Sequence, residues 1–245
     1  IFISDEFAFS IDEEVLIKFN LKKGSVLDEF TLSEIGYYDE IAKAYQSALR
    51  NLTSRMRSEG EIQKYLAKKQ FEEAIIKEAI LKLKGVNLLD DKKFTIAYVR
   101  TQLQTTDKGP DVIRYELQEK GITEQLIESS LMEYPLSLQF EKANNICEKY
   151  RNKNKLESHN MFIQKCEQLL IRKGYPYSLI QEIKESNLKK IEKADEMEAV
   201  RFHGEKAKKK YNRFSDFEYE QKMKAALYRK GFSLDIIEQY LAEEN

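Results

Sequence analysis

The 245-residue chain is 34% charged, with 41 Lys and Arg against 42 Asp and Glu, and it has nine Gly, three Pro, two Cys and no Trp. So few prolines exclude a loop-rich β-sandwich, and no apolar run approaches the ~18 residues that a membrane-spanning helix needs. Net charge is −1, too little for a dedicated nucleic-acid binder, although residues 1 to 40 carry −7 and leave +6 on the rest of the chain.

The first residues show no basic-then-apolar leader, so a cytoplasmic protein is expected, and a start at Ile1 rather than Met points to a trimmed N-terminus. In residues 1–38, Phe7, Phe9 and Ile11 alternate with small and polar residues, and Val15–Phe19 runs apolar toward the turn signal Lys23-Gly24. A β-hairpin or strand–helix element is expected there. An isolated hairpin is marginal in water, so it should pack on the first helices.

From Asp39 onward the period becomes helical and a module recurs four times. Each copy has a helix end, a tight turn and a new helix: Leu66–Phe71, Leu117–Ile122, Leu170–Tyr175 and Leu227–Phe232, the leucines spaced by 51, 53 and 57 residues. Four residues before each Leu stands Ile62, Ile113, Cys166 or Met223, and ten after it stands Ile76, Ile127, Ile180 or Ile237. Lys69, Lys120, Lys173 and Lys230 close the helices, where a cation complements the helix dipole, and Gly121, Gly174 and Gly231 suit a left-handed turn position. Gln70 replaces glycine in the first copy, which predicts a differently shaped turn. Phe71, Phe94, Tyr175 and Phe232 are assigned to the core, and Thr123, Ser233 and Pro176 suit the starts of the next helices.

An amphipathic helix precedes each pair: Asp39–Arg57, Lys92–Thr105, Leu138–Lys153 and Glu192–Tyr211. The last two read as the longest and most polar, projecting into solvent or bracing the outer surface. The expected fold is mainly all-α, with a β-containing segment at 1–38 and three-helix repeats at 39–88, 89–135, 136–188 and 189–245. A unit of ~50 residues is marginal alone, so neighbours should stack in an elongated, curved array.

Cys147 and Cys166 lack the number and spacing of a zinc site or disulfide framework and are expected as buried thiols. His159 and His203 are isolated and read as surface residues. Glycine-rich phosphate loops are missing, and among so many helical carboxylates an acid–base pair would arise by chance, so neither enzyme activity nor a cofactor or metal is expected. The cations that invite a binding role are Arg100, Lys108, Arg114 and Lys120, with the runs containing Lys149, Arg151 and Lys153 and Lys208, Lys209 and Lys210. Tyr150 and Tyr211 stand within or beside those runs, compatible with base stacking beside phosphate contacts. Solvated helix ends explain the same runs without a ligand.

The most specific stretch is Asp90-Asp91-Lys92-Lys93-Phe94 to Arg100, followed by Lys108-Gly109-Pro110 and Ile113-Arg114 to Lys120-Gly121-Ile122. It resembles the central motif of the RecX family, closely from Gly109 to Ile122 and more loosely in the helix before it. That resemblance implies a regulator that binds the RecA nucleoprotein filament along its groove, inhibits ATP hydrolysis and strand exchange, and so modulates recombination and DNA repair; a monomer is expected. Arg114 matches a basic residue frequent in the motif. A protein contacting single- or double-stranded DNA without RecA is the alternative.

Overall fold

A computed structural model describes residues 1–3, 6–186 and 193–244. The chain divides into two compact units, Ile1–Arg100 with Tyr115–Ser130 and Thr101–Arg114 with Leu131–Asn245. Among the described residues there are thirteen helices and one two-stranded antiparallel sheet.

In the first unit, β1 (Phe2–Ile3) pairs with β2 (Glu6–Phe7), and α1 (Glu13–Lys18) follows. The apolar run at Val15–Phe19 is therefore helix rather than strand. Asp12 decides this: its carboxylate accepts the Glu14 N–H at 3.0 Å as an N-cap, and its own N–H donates to Asp39 at 2.8 Å. Val15 is buried with Ile35 and Ala42, and Phe9, Ile11, Phe19, Leu21 and Leu27 pack around them. The acidic head thus docks on the first long helix, as expected for so small an element.

That helix, α2 (Glu29–Leu52), starts ten residues before Asp39, because Asp28 caps it by accepting the Thr31 N–H at 2.7 Å. With 24 residues it exceeds α8 (Leu136–Lys153, 18 residues) and α11 (Lys193–Tyr211, 19 residues). Those two do not project. The apolar residues Ala143, Ile146 and Cys147 of α8 are buried, as are Met197, Ala199 and Val200 of α11. Helices α3 (Glu59–Lys68) and α4 (Glu73–Gly85) complete the first three-helix group with α2, sharing a core of Ile41, Ala44, Ala48, Ile62, Leu66, Ile76 and Leu83. The following helices are α5 (Asp91–Thr105), α6 (Pro110–Glu119) and α7 (Glu124–Leu131).

In the second unit α8 packs with α9 (His159–Lys173) and α10 (Tyr177–Ser186), and α11 packs with α12 (Asp216–Tyr228) and α13 (Leu234–Glu244). The expected junction at 188/189 and the expected helix start at Glu192 lie outside the described residues.

The repeated anchors are the core. Ile62, Leu66, Ile113, Leu117, Ile127, Cys166, Ile180, Met223 and Ile237 have no exposed surface, and Leu170 and Leu227 have almost none. Phe94, Tyr175 and Phe232 are buried, while Phe71 is half-buried against the first core. All four turns carry one hydrogen-bond pattern. The N–H groups of Phe71, Ile122, Tyr175 and Phe232 donate to the carbonyls of Leu66, Leu117, Leu170 and Leu227, and those of Gln70, Gly121, Gly174 and Gly231 donate three residues back. This is the double bond set that satisfies the orphan carbonyls of a helix end. Gln70 adopts φ 69° against 80–86° for the glycines, so the first turn has the same shape, held by packing against a left-handed penalty.

Candidate nucleic-acid or protein interface

The turns are docking points as well as helix ends. In the first unit Ser58 caps α3, and its Oγ donates to the Lys120 carbonyl at 2.6 Å. In the second unit the N–H of Gly109 donates to the Lys173 carbonyl at 2.7 Å, and Ser158 Oγ donates to the Lys230 carbonyl at 2.6 Å. Each time the start of a repeat's middle helix holds the turn lysine of the next repeat by its backbone oxygen. Gly109 has a physical reason here: a Cβ would overlap the Gly174 carbonyl and the Tyr175 nitrogen. These partners were missed in the sequence, although Ser58 and Ser158 stand where helix caps are expected.

The turn lysine's side chain is then free for other uses. Lys120 Nζ lies 3.4 Å from Glu61 and 5.4 Å from the centre of the Tyr98 ring, whose hydroxyl donates to Glu116 at 2.7 Å. Burial opposes ionisation of Glu61, but the Arg55 hydrogen bond, the Ser58 N–H and the Lys120 charge hold its carboxyl below the usual range. Lys120 is thus engaged inside the first unit.

Arg100 is the other candidate cation of the first unit, on the exposed face of α5; the remaining eight lie in the second. Arg114 pairs with Asp111 at 2.7 Å, and the Lys108 carbonyl accepts from Tyr134 Oη at 3.3 Å. Arg151 is half-buried, lying over the Phe162 ring at 4.8 Å with its Nη1 out of solvent. Lys208 pairs with Glu244 at 2.5 Å and Lys210 lies 5.4 Å from the Tyr211 ring. Lys149, Lys153 and Lys209 are exposed, and none of them enters an ion pair among the described residues.

The two basic runs, more than fifty residues apart in sequence, line two adjoining grooves that share His203 and Lys230. A groove of about 680 Å³ is lined by Asn152–Lys155 of the first run, by the Leu156–Ser158 segment after it, by Met161 and Lys165 of α9, and by Phe202, His203 and Lys230. His203 and Lys230 also line an adjoining groove of about 410 Å³ with Lys206, Lys210, Tyr211 and Arg229. Lys165, Arg229 and Phe202 escaped the sequence reading because a single cation or ring on a helix carries no signal until the fold places it.

His203 is no surface residue. It is half-buried, its Nε2 lies 3.0 Å from the Leu156 carbonyl, and its ring contacts Phe202 and Phe232. Burial pushes its pKa down, the Leu156 hydrogen bond opposes this, and Lys230 and Lys206 push it down further. Burial also lowers His159. Nor do Tyr150 and Tyr211 offer stacking platforms: Tyr150 stacks on Phe162 at 6.1 Å and donates to Glu157 at 2.9 Å, while Tyr211 packs near Phe214.

Cys147 and Cys166 are buried and unbridged. Among the described residues there is no group of three metal-ligating side chains, and no helix is long and apolar enough to cross a membrane.

Comparison with known proteins places the chain. The Regulatory protein RecX N-terminal domain matches residues 1–28, and the first and second three-helix domains of RecX match 44–83 and 90–131. The third three-helix domain matches twice, at 138–183 and at 194–241. The chain is 45% identical over 233 residues to the regulatory protein RecX of Geobacillus sp. strain WCH70, covering 95% of this chain and 86% of that one. It is 41% identical to that of Bacillus licheniformis over 244 residues, covering 100% and 93%. A crystal structure of regulatory protein RecX superposes with a TM-score of 0.67 at 34% identity, covering 76% of this chain and 91% of that chain. The RecX structure from Lactobacillus salivarius gives 0.57 at 36% identity, covering 60% and 96%. The chain, with its N-terminal segment and its three-helix repeats joined through turn carbonyls, belongs to the RecX family of regulatory proteins.

Proposed function

We propose that the protein binds the RecA nucleoprotein filament and inhibits its ATP hydrolysis and strand exchange, acting by steric bracing of filament subunits rather than by catalysis. The observation that carries this reading is family membership along the whole chain, first legible in the Gly109–Ile122 motif. Tandem three-helix repeats, linked by the same backbone contact within each unit, offer repeated surfaces to a partner that is itself built of repeated subunits, which suits a filament. The contact residues proposed are the exposed Lys149, Lys153 and Lys209, with Lys108, Lys210, Arg100 and Arg114 as secondary candidates. Arg151, Lys120 and Lys208 are better read as structural, because each is engaged inside its own unit. The protein acts as a monomer in the cytoplasm on this reading.

The test is single-stranded-DNA-dependent ATP hydrolysis by purified RecA against increasing amounts of this protein, with binding to DNA alone measured in the same buffer. The expected result is inhibition below one protein per RecA subunit with weak binding to naked DNA. The competing reading, phosphate tracking by the basic runs without RecA, predicts no inhibition and steep salt dependence. Six to ten phosphate contacts lose about 10³ to 10⁵ in affinity between 50 and 200 mM salt.

A further inference from the structure

We infer that the groove between residues 152–165 and 202–211 is a docking site for an acidic peptide segment of a protein partner, one carrying an apolar residue among its carboxylates. The inference goes beyond the filament reading and stands whether or not RecA is the partner. The groove lies within the second unit, between the two stretches that each match the third RecX domain.

Its construction is rigid. Ser158 Oγ donates to the Lys230 carbonyl at 2.6 Å, Asn160 Nδ2 donates to the Gly231 carbonyl at 3.0 Å, and His203 Nε2 meets the Leu156 carbonyl at 3.0 Å. The His203 contact joins the two walls, and the other two tie the first wall to the turn at Lys230-Gly231; a preformed site loses less ordering entropy on binding.

Its charge is one-sided. Lys153, Lys155, Lys165 and Lys230 line it, and none enters an ion pair among the described residues. Glu157 is the single acid in the lining, and its carboxylate already accepts from Tyr150 Oη. The adjoining groove adds Lys206, Lys210 and Arg229 and no acid. Cations focused in a cleft attract a polyanion.

The aromatic geometry chooses between polyanions. Single-stranded nucleic acid binds by stacking bases on open ring faces. Here one face of the Phe202 ring is occupied by Lys206 Nζ at 3.9 Å and the ring meets His203 in a T-shaped contact, and Phe162 is buried beneath Arg151. The floor that remains is aliphatic and ring-edge surface, Leu156, Met161 and the 40%-exposed Phe202, which suits an apolar side chain. Carboxylates on either side of that anchor would reach the lysine ammoniums.

The experiment titrates the full chain with a short labelled peptide of Asp and Glu around a central Phe, and with labelled oligothymidylate of equal charge. Expected is saturable peptide binding, tighter than oligothymidylate and weakened when the probe's Phe becomes Ser. Lys155→Glu with Lys165→Glu should weaken the peptide by about tenfold or more. Lys155→Gln with Lys165→Gln gives the same direction without charge reversal, should the reversed pair disturb folding. Tighter binding of oligothymidylate, binding of neither probe, or an unchanged peptide affinity in both folded double variants would overturn the assignment. RecA inhibition measured on the same preparations separates the two readings: peptide binding without inhibition removes the filament reading alone, and inhibition without peptide binding removes the groove alone.

Discussion

The turn at Lys120-Gly121 and the turn at Lys230-Gly231 are held by the same bond, a serine hydroxyl on the lysine carbonyl at 2.6 Å, yet they treat the lysine side chain in opposite ways. Lys120 is half-buried, paired with Glu61 and set beside Tyr98, whereas Lys230 is exposed at the mouth of a basic groove. Docking uses the backbone oxygen, whose position is fixed by the turn geometry whatever the side chain does. One repeated module can therefore join its neighbours in a constant way and still present a different surface at each joint. Repetition supplies the scaffold, and the side chains left over from docking supply the specificity.

The shared bond is the first thing to break. Ser58→Ala and Ser158→Ala each remove a helix cap and leave the facing carbonyl without its hydroxyl donor, which costs about 2 kcal/mol. The expected outcome is a similar loss of hydrogen-exchange protection in each case, confined to the first unit for Ser58 and to the second for Ser158. Unequal losses, one near zero, would mean that the two joints are not the same device.

The lysines should then separate the joints. Lys120→Met keeps the aliphatic stem but loses the Glu61 and Tyr98 contacts, and it should destabilise the first unit by about 1 kcal/mol. Glu61 keeps Arg55 at 2.7 Å, so no carboxylate is orphaned and the loss stays modest. Lys230→Met should leave stability within about 0.5 kcal/mol of the parent, as surface changes usually do. Equal melting shifts for the two variants would erase the distinction. A gain of up to about 1 kcal/mol is expected at a third turn, from Gln70→Gly, because φ 69° is a conformation that glycine adopts without a Cβ penalty. A melt unchanged or lowered by that substitution would show that the Gln70 side chain repays its strain.

Much of this architecture was legible in the chain. The anchors Leu66, Leu117, Leu170 and Leu227 and their partners repeat because one local geometry recurs, and local geometry leaves a periodic trace. What was illegible depends on capping and on distance. Val15–Phe19 has the apolar density of a strand, and only the Asp12 cap makes it a helix; Asp28 likewise starts α2 well ahead of Asp39. Tyr150 looked like a stacking ring because the ring that occupies it, Phe162, lies on the next helix, while Phe214, three residues past Tyr211, packs near it through the local turn. The site was half visible: both basic runs stood out, but the two grooves that bring them to either side of His203 needed the fold.

His203 turns that arrangement into a pH-dependent quantity. Burial, Lys230 and Lys206 lower its pKa from the ordinary 6.5, with the Leu156 carbonyl and Glu157 opposing, so the folded unit holds a neutral imidazole where an unfolded chain would begin to take a proton. Because the unfolded state then binds more protons, stability is complete above about 6.5 and falls as the pH drops from there toward the depressed folded value. His159, lowered chiefly by burial, adds in the same direction. Glu61 and Glu243 are lowered from an ordinary 4.5 and so lie below that window. His203→Gln keeps a donor for Leu156 without a titrating group, so its melting temperature should fall less than the parent's between pH 7.5 and 5.5; parallel curves would dismiss the histidine. An acidic peptide seated in the groove would offset Lys206 and Lys230 and raise the imidazole pKa. Adding the peptide should therefore shrink the parent's loss at pH 5.5 and change the His203→Gln curve less.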